Sequence, residues 1–169
     1  MKKIGSILLQ IFSIALVVIS CSKSDNVNTL NASFSDVSST VLRINKETFD
    51  KINSSRKKNI SEGDAFRINK GERKGDILQL NVSYSGGCKQ HSFEIIWDGL
   101  VYTNNPCYMN LLIIHRGNND TCKALITETI IVNLKELVGD ITYKDKCAYT
   151  IFSTFNSSET PDIGIKGIN

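Results

Sequence analysis

From Asp64 onward the chain alternates. Leu78, Leu80, Val82 and Tyr84 take every second place, with Gln79, Asn81 and Ser83 between them. Side chains of a strand point to opposite faces in turn, so this run offers one face to a core and one to water. The pattern recurs along the chain. Residues 65–69 are strand-like, and a charged, Gly-containing turn over residues 70–75 leads into the run at 76–84. Ser85-Gly86-Gly87 breaks that run. Residues 92–97 follow, with Phe93, Ile95 and Trp97 on one face. Asp98-Gly99 is a two-residue hairpin signal, so residues 100–103 are expected to fold back. Residues 109–115 are apolar on both faces, which predicts a central strand covered on both sides. Residues 123–134 form the longest strand pattern. Ala124, Ile126, Ile130, Val132 and Leu134 share a face there with Glu128. Residues 141–143 and 147–155 are expected to close the fold, ahead of a polar, Gly-rich, frayed end over 156–169. Seven or eight short strands with turn signals between them predict an all-β fold, a single antiparallel β-sandwich or small barrel. No long amphipathic helix and no internal repeat stands out.

The amino-terminal stretch sets the compartment. Lys2 and Lys3 precede an apolar run over residues 4–19, broken only by Gly5, Ser6, Gln10 and Ser13, and Ser20 then precedes Cys21. This is the layout of a secretory signal peptide, and it is shorter and more polar than the ~20 apolar residues of a membrane-spanning helix. Val18-Ile19-Ser20-Cys21 resembles the lipobox of bacterial lipoproteins. The resemblance implies cleavage after Ser20 and diacylation of the Cys21 thiol, a covalent lipid and no other cofactor. The expected layout is a signal peptide at 1–20, a polar tether and lead-in at 21–59, and a β-sandwich-like domain at 60–169. Within the lead-in, the alternatives are a strand over residues 40–44 or a short helical turn over 46–52. The expected location is the envelope of a Gram-negative bacterium, lipid-anchored at the outer membrane.

Charge excludes one class of partner. Of 20 basic residues two, Lys2 and Lys3, lie in the signal segment, which leaves 18 against 17 acidic ones. A net charge so near zero gives no broad field for nucleic acid. Arg56-Lys57-Lys58 is a short basic run in a polar stretch and reads as a solvated loop. Setting Cys21 aside leaves four cysteines: Cys88, Cys107, Cys122 and Cys147. In an oxidising compartment an even set reads as disulfides, and three pairings are open.

The densest group of chemically capable residues is Gly86-Gly87-Cys88, His91 and Phe93, then His115, then Asp120 and Cys122, then Ala124-Leu125. This pattern resembles that of a family of small uncharacterised bacterial lipoproteins. The resemblance covers residues 76–134 and brings no established activity. It implies a Cys88–Cys122 bridge, with Cys107–Cys147 as the second. A loop of about 35 residues closed by a disulfide is stabilised by roughly 4 kcal/mol on the chain-entropy model. The alternative is a zinc-type Cys2His2 site formed by Cys88, His91, His115 and Cys122, since Cys88 and His91 have ligand spacing. Otherwise His91 and His115 brace turns at strand ends. Glu128 is expected at a β-bulge or sheet edge that turns it to water. Asn118, Asn119 and Asp120 carry oxygens suited to calcium but read as a polar turn. Trp97 and Tyr102 flank a turn and could make an exposed binding patch.

There is no G-x-S-x-G, H-E-x-x-H, phosphate-binding loop or G-x-G-x-x-G in the chain. The expected function is therefore non-enzymatic: a membrane-anchored binding or structural module whose partner is an envelope protein or a glycan. A metal-binding protein and an inhibitor of a secreted enzyme are the alternatives.

Overall fold

The computed structural model describes residues 38–168. The signal segment and Cys21 lie outside them. Eight strands and two helices follow in order: β1 Ser39–Ile44, α1 Lys46–Arg56, β2 Phe66–Lys74, β3 Ile77–Gly86, β4 Ser92–Trp97, β5 Tyr108–Arg116, β6 Ala124–Asn133, α2 Leu134–Val138, β7 Ala148–Ser153 and β8 Ile163–Ile165. They build a five-stranded sheet in the order β1-β4-β5-β7-β8 and a three-stranded sheet in the order β2-β3-β6. The alternating faces meet between the sheets. Leu78, Leu80 and Val82 of β3, Phe93 and Ile95 of β4, Met109, Leu111 and Ile113 of β5 and Tyr149 and Ile151 of β7 form one buried core. The all-β, disulfide-stapled sandwich of seven or eight strands is thus the observed fold.

β5 is the central strand of the larger sheet and is buried on both faces, as its sequence demands. Its inner face enters the core between the sheets. Its outer residues Leu112 and Ile114 pack with Ile96 under Phe49 and Ile52 of α1. The helix forms because Asn45 caps it, its side chain accepting from the Thr48 amide at 2.9 Å, and a cap of this kind stabilises by about 1 kcal/mol. Phe49, Ile52 and Arg56 fall at i, i+3 and i+7, one face of the helix. Among the described residues no helix is long and apolar enough to cross a membrane.

Several expectations are corrected. Pairing in the larger sheet is mixed, because β1 runs parallel to β4 and β5 parallel to β7. The folded unit begins ahead of the expected boundary at residue 60, since β1 and α1 belong to it. Residues 70–74 are strand, not turn: β2 is an edge strand, where a charged row can face water. The turn is only Gly75-Asp76, with Lys74 opposite Ile77. Residues 100–103 do not pair back on β4, whose two edges are taken by β1 and β5, and make only a bridge from Tyr102 to Tyr108. Residues 141–147 form turns, and β8 lies in the segment expected to fray.

Both disulfides are present, Cys88 to Cys122 and Cys107 to Cys147, at sequence separations of 34 and 40. The first ties the β3–β4 connection to the entry of β6. The second ties the residues just ahead of β5 and β7, which pair side by side.

Two-sided burial of β5 yields a stability prediction. Leu112→Ala removes buried carbon from beneath α1 and should cost about 2–5 kcal/mol. Leu125→Ala, at a side 79% exposed, should change stability by no more than about 0.5 kcal/mol. Urea unfolding of the two variants checks the contrast, and equal losses would contradict this packing.

Candidate functional site

The group singled out in the sequence converges at one end of the sandwich. β4 begins after His91, β5 ends just after His115, and Asp120 lies in the turn between β5 and β6. His91 Nδ1 lies 2.8 Å from His115 Nε2, and His91 Nε2 lies 3.2 Å from Asp120 Oδ2. The Asp120 carboxylate also accepts three backbone amides at 2.9 Å each, from Cys122, Cys88 and Lys89. These amides, Cys122 foremost, hold its carboxyl well below the usual carboxylate range. It is an ionised acid with four donors, and its side chain is only 1% exposed.

That charge fixes the outer link of the chain. An ionised Asp120 accepts the Nε2–H of His91. His91 Nδ1 and His115 Nε2 share the inner hydrogen bond, its donor set by the tautomer. His115 Nδ1 is left buried, without a partner among the described residues. Aromatic rings close the sides. Tyr84 stacks on His91 with centroids 4.5 Å apart, Phe93 stacks on His115 at 4.8 Å, and Phe66 meets His115 edge-on. Burial and then the neighbouring His91 push the His115 imidazole down from its ordinary value. The close fit demands glycine at 86, where a Cβ would stand 2.6 Å from the His91 ring.

Beside this chain is a cleft of about 320 Å³, bordered by Ser38, Tyr84, Lys89, Gln90, His91 and Ile126. Glu128 points inward here, on the face of β6 that carries Ile130 and Val132. β3 and β6 pair without a register break, so no bulge turns Glu128 to water as expected. It accepts instead from the Tyr84 hydroxyl at 2.7 Å and the Ser38 hydroxyl at 2.5 Å. Burial, with the Glu128 bond second, pushes the Tyr84 phenol up to about 12.

The zinc alternative fails on the sulfurs. Cys88 and Cys122 lie with Asp120 within 4.8 Å, but sulfurs bonded to each other have no thiolate to give a metal. The two imidazoles face each other rather than a shared centre. Asn118 and Asn119 adopt positive φ in a turn, and their carbonyls accept from Lys89 Nζ at 3.0 Å each. A lysine ammonium thus takes the place a calcium ion would need. Trp97 and Tyr102 form no exposed patch. The Trp97 indole donates to Leu100 O, and the Tyr102 hydroxyl donates to the buried Asp98 at 2.9 Å.

Chemically, the arrangement braces. His91 uses both ring nitrogens, Asp120 is filled by donors, and the Tyr84 and Ser38 hydroxyls both donate to Glu128. The sequence signal for Asp120 was local, since Asp120 accepting from Cys122 two residues on is an Asx-type turn. The Tyr84–Glu128–Ser38 contact joins positions far apart in sequence and left no local signal.

The sign of the pH dependence follows. The folded state disfavours protonated His115, so its stabilisation is full above the ordinary value of 6.5 and is lost as pH falls below it. Asp120 acts in the same direction below about 3.8. Melting temperature should therefore fall between pH 7.5 and 5, and His115→Gln should flatten that slope. An unchanged melting temperature across this window would contradict a buried His115 held neutral.

No protein-family model matches the chain, and no curated protein matches it. Solved structures similar to it include three from Bacteroides and Parabacteroides. A NigD-like immunity protein from Bacteroides caccae shares 18% identity, over 69% of this chain and 52% of that one, with a TM-score of 0.45. A protein of unknown function, DUF1344, from Bacteroides vulgatus shares 13% identity over 68% and 49%, with a TM-score of 0.44. A toxin-related protein from Parabacteroides distasonis shares 16% identity over 67% and 55%, with a TM-score of 0.42. The chain spans about half the length of these structures.

Proposed function

We propose that the chain is an exported binding module, held at the outer membrane of a Gram-negative bacterium by a lipid on Cys21, and that it catalyses no reaction. One observation carries the non-enzymatic part. The groups able to do acid–base chemistry at the cleft are turned inward and bonded to protein partners, with the His91 and Asp120 side chains 3% and 1% exposed. A general acid or base must reach the proton it moves, and here the reach is taken up internally. Export is supported by the signal-like segment and by the pairing of all four cysteines left after Cys21, the state an oxidising compartment favours. The partner is an envelope protein or a glycan, met by a rigid surface that loses little entropy on binding.

Labelled palmitate tests the anchor. It should enter the wild-type protein in cells and be absent from Cys21→Ser, whereas equal labelling of both would refute the anchor. A hydrolase or redox activity abolished by His91→Ala or His115→Gln would refute the non-enzymatic reading.

A further inference from the structure

α1 covers only part of the outer face of the larger sheet. Where it stops, Tyr108 and Asn110 of β5 and Thr150 and Phe152 of β7 floor a groove of about 320 Å³. They lie side by side, since Asn110 is in register with Thr150 and Leu112 with Phe152. One wall is α1, through Phe49, Asn53 and Arg56, and the other is the loop bearing Glu159 and Pro161.

Arg56 is the unusual element. The residue is only 2% exposed. Its Nε donates to Asn53 Oδ1 at 2.8 Å, and its Nη1 donates to the carbonyls of Asn156 and Ser158 at 2.6 and 2.8 Å. Its guanidinium lies 4.4 Å over the Phe152 ring. Among the described residues no carboxylate bonds it, Glu159 and Asp162 acting on it only through space, and its Nη2 donates to no acceptor. The other deeply buried guanidinium, Arg73, has Asp145 at 2.6 Å. Glu159 and Lys57 both line the groove and pair with each other at 2.7 Å on its exposed rim. A buried cation normally has a counter-charge, and here the side on which one could sit is the groove.

We propose that this groove binds an acidic sugar, a pyranose ring bearing one carboxylate. The carboxylate lies on Arg56 Nη2, where a charge-assisted bond is stronger than a neutral one. The apolar face of the ring lies on Tyr108, whose own ring is backed by Tyr102 at 4.8 Å and 7°. Hydroxyls are met by Asn53, Asn110 and Thr150, a richer polar lining than a pocket for an apolar side chain carries. The cradle is preset, because the Thr150 hydroxyl donates to Asn110 Oδ1. This site rests on the reading of the chain as a binding module, and not on the lipid anchor.

Calorimetric titration of the purified protein with methyl β-D-glucuronide tests it, against methyl β-D-glucoside and N-acetylphenylalanine. The glucuronide should bind, and the neutral glucoside about tenfold more weakly or worse. Removing Arg56 endangers the fold, so the variant is Asn110→Asp, which keeps the oxygen that Thr150 bonds and adds a repelling charge. It should weaken the glucuronide about tenfold with melting temperature unchanged. Failure of the glucuronide to bind in the millimolar range would overturn the site, as would equal binding of the glucoside, tighter binding of N-acetylphenylalanine, or indifference to Asn110→Asp. A membrane partner captured by the wild type and equally by Asn110→Asp, with no glucuronide binding, would remove this groove and leave the binding-module reading standing.

Discussion

The structure depends on one strand being dry on both sides. β5 carries apolar residues at consecutive positions from Leu111 to Ile114, which only a strand covered twice can bury. The smaller sheet covers one face and α1 the other. Each fully buried Leu or Ile contributes about 1.5–3 kcal/mol relative to an exposed one, so the strand is held from two directions. The brace and the groove hang on its two ends. His115 closes the brace at one end, and Tyr108 and Asn110 floor the groove at the other.

The brace itself is an arrangement of charge in a dry setting. A buried carboxylate is costly unless donors surround it. Asp120 meets that need with three backbone amides and one imidazole, and two of the amides come from the segment beginning at Cys88. The disulfide holds that segment beside Cys122, so the covalent bond and the carboxylate fix the same loop. His91 and His115 pass the polarity inward until aromatic rings end it. Such a chain gives rigidity.

Much of this was legible in the chain because its signals were local. The alternation of β3, the double-faced run of β5 and the even cysteine set each follow from a short-range rule. What escaped notice was settled at long range. Arg56 stands in a basic run and reads as solvated, yet it is the carboxyl-terminal end of a helix face whose acceptors lie 100 residues away. Asp98-Gly99 has hairpin chemistry, but the Asp98 carboxylate bonds the Leu100 amide and the Tyr102 hydroxyl, and the β4 edge it would have paired is occupied. Glu128 looked like a charge to be turned out. Tyr84 and Ser38, which keep it in, lie 44 and 90 residues away in the chain. The parallel pairs β1–β4 and β5–β7 were unreadable for the same reason, since connection order leaves no mark on periodicity.

The account stands or falls on β5 as the keel of the fold. Native-state hydrogen exchange of its amides is the most direct measurement. Leu111 to His115 should exchange only through global unfolding, with the highest protection in the protein, while edge strands β1, β6 and β8 open at lower free energy. Exchange of the β5 amides through a smaller opening than that of β1 or β6 would contradict it.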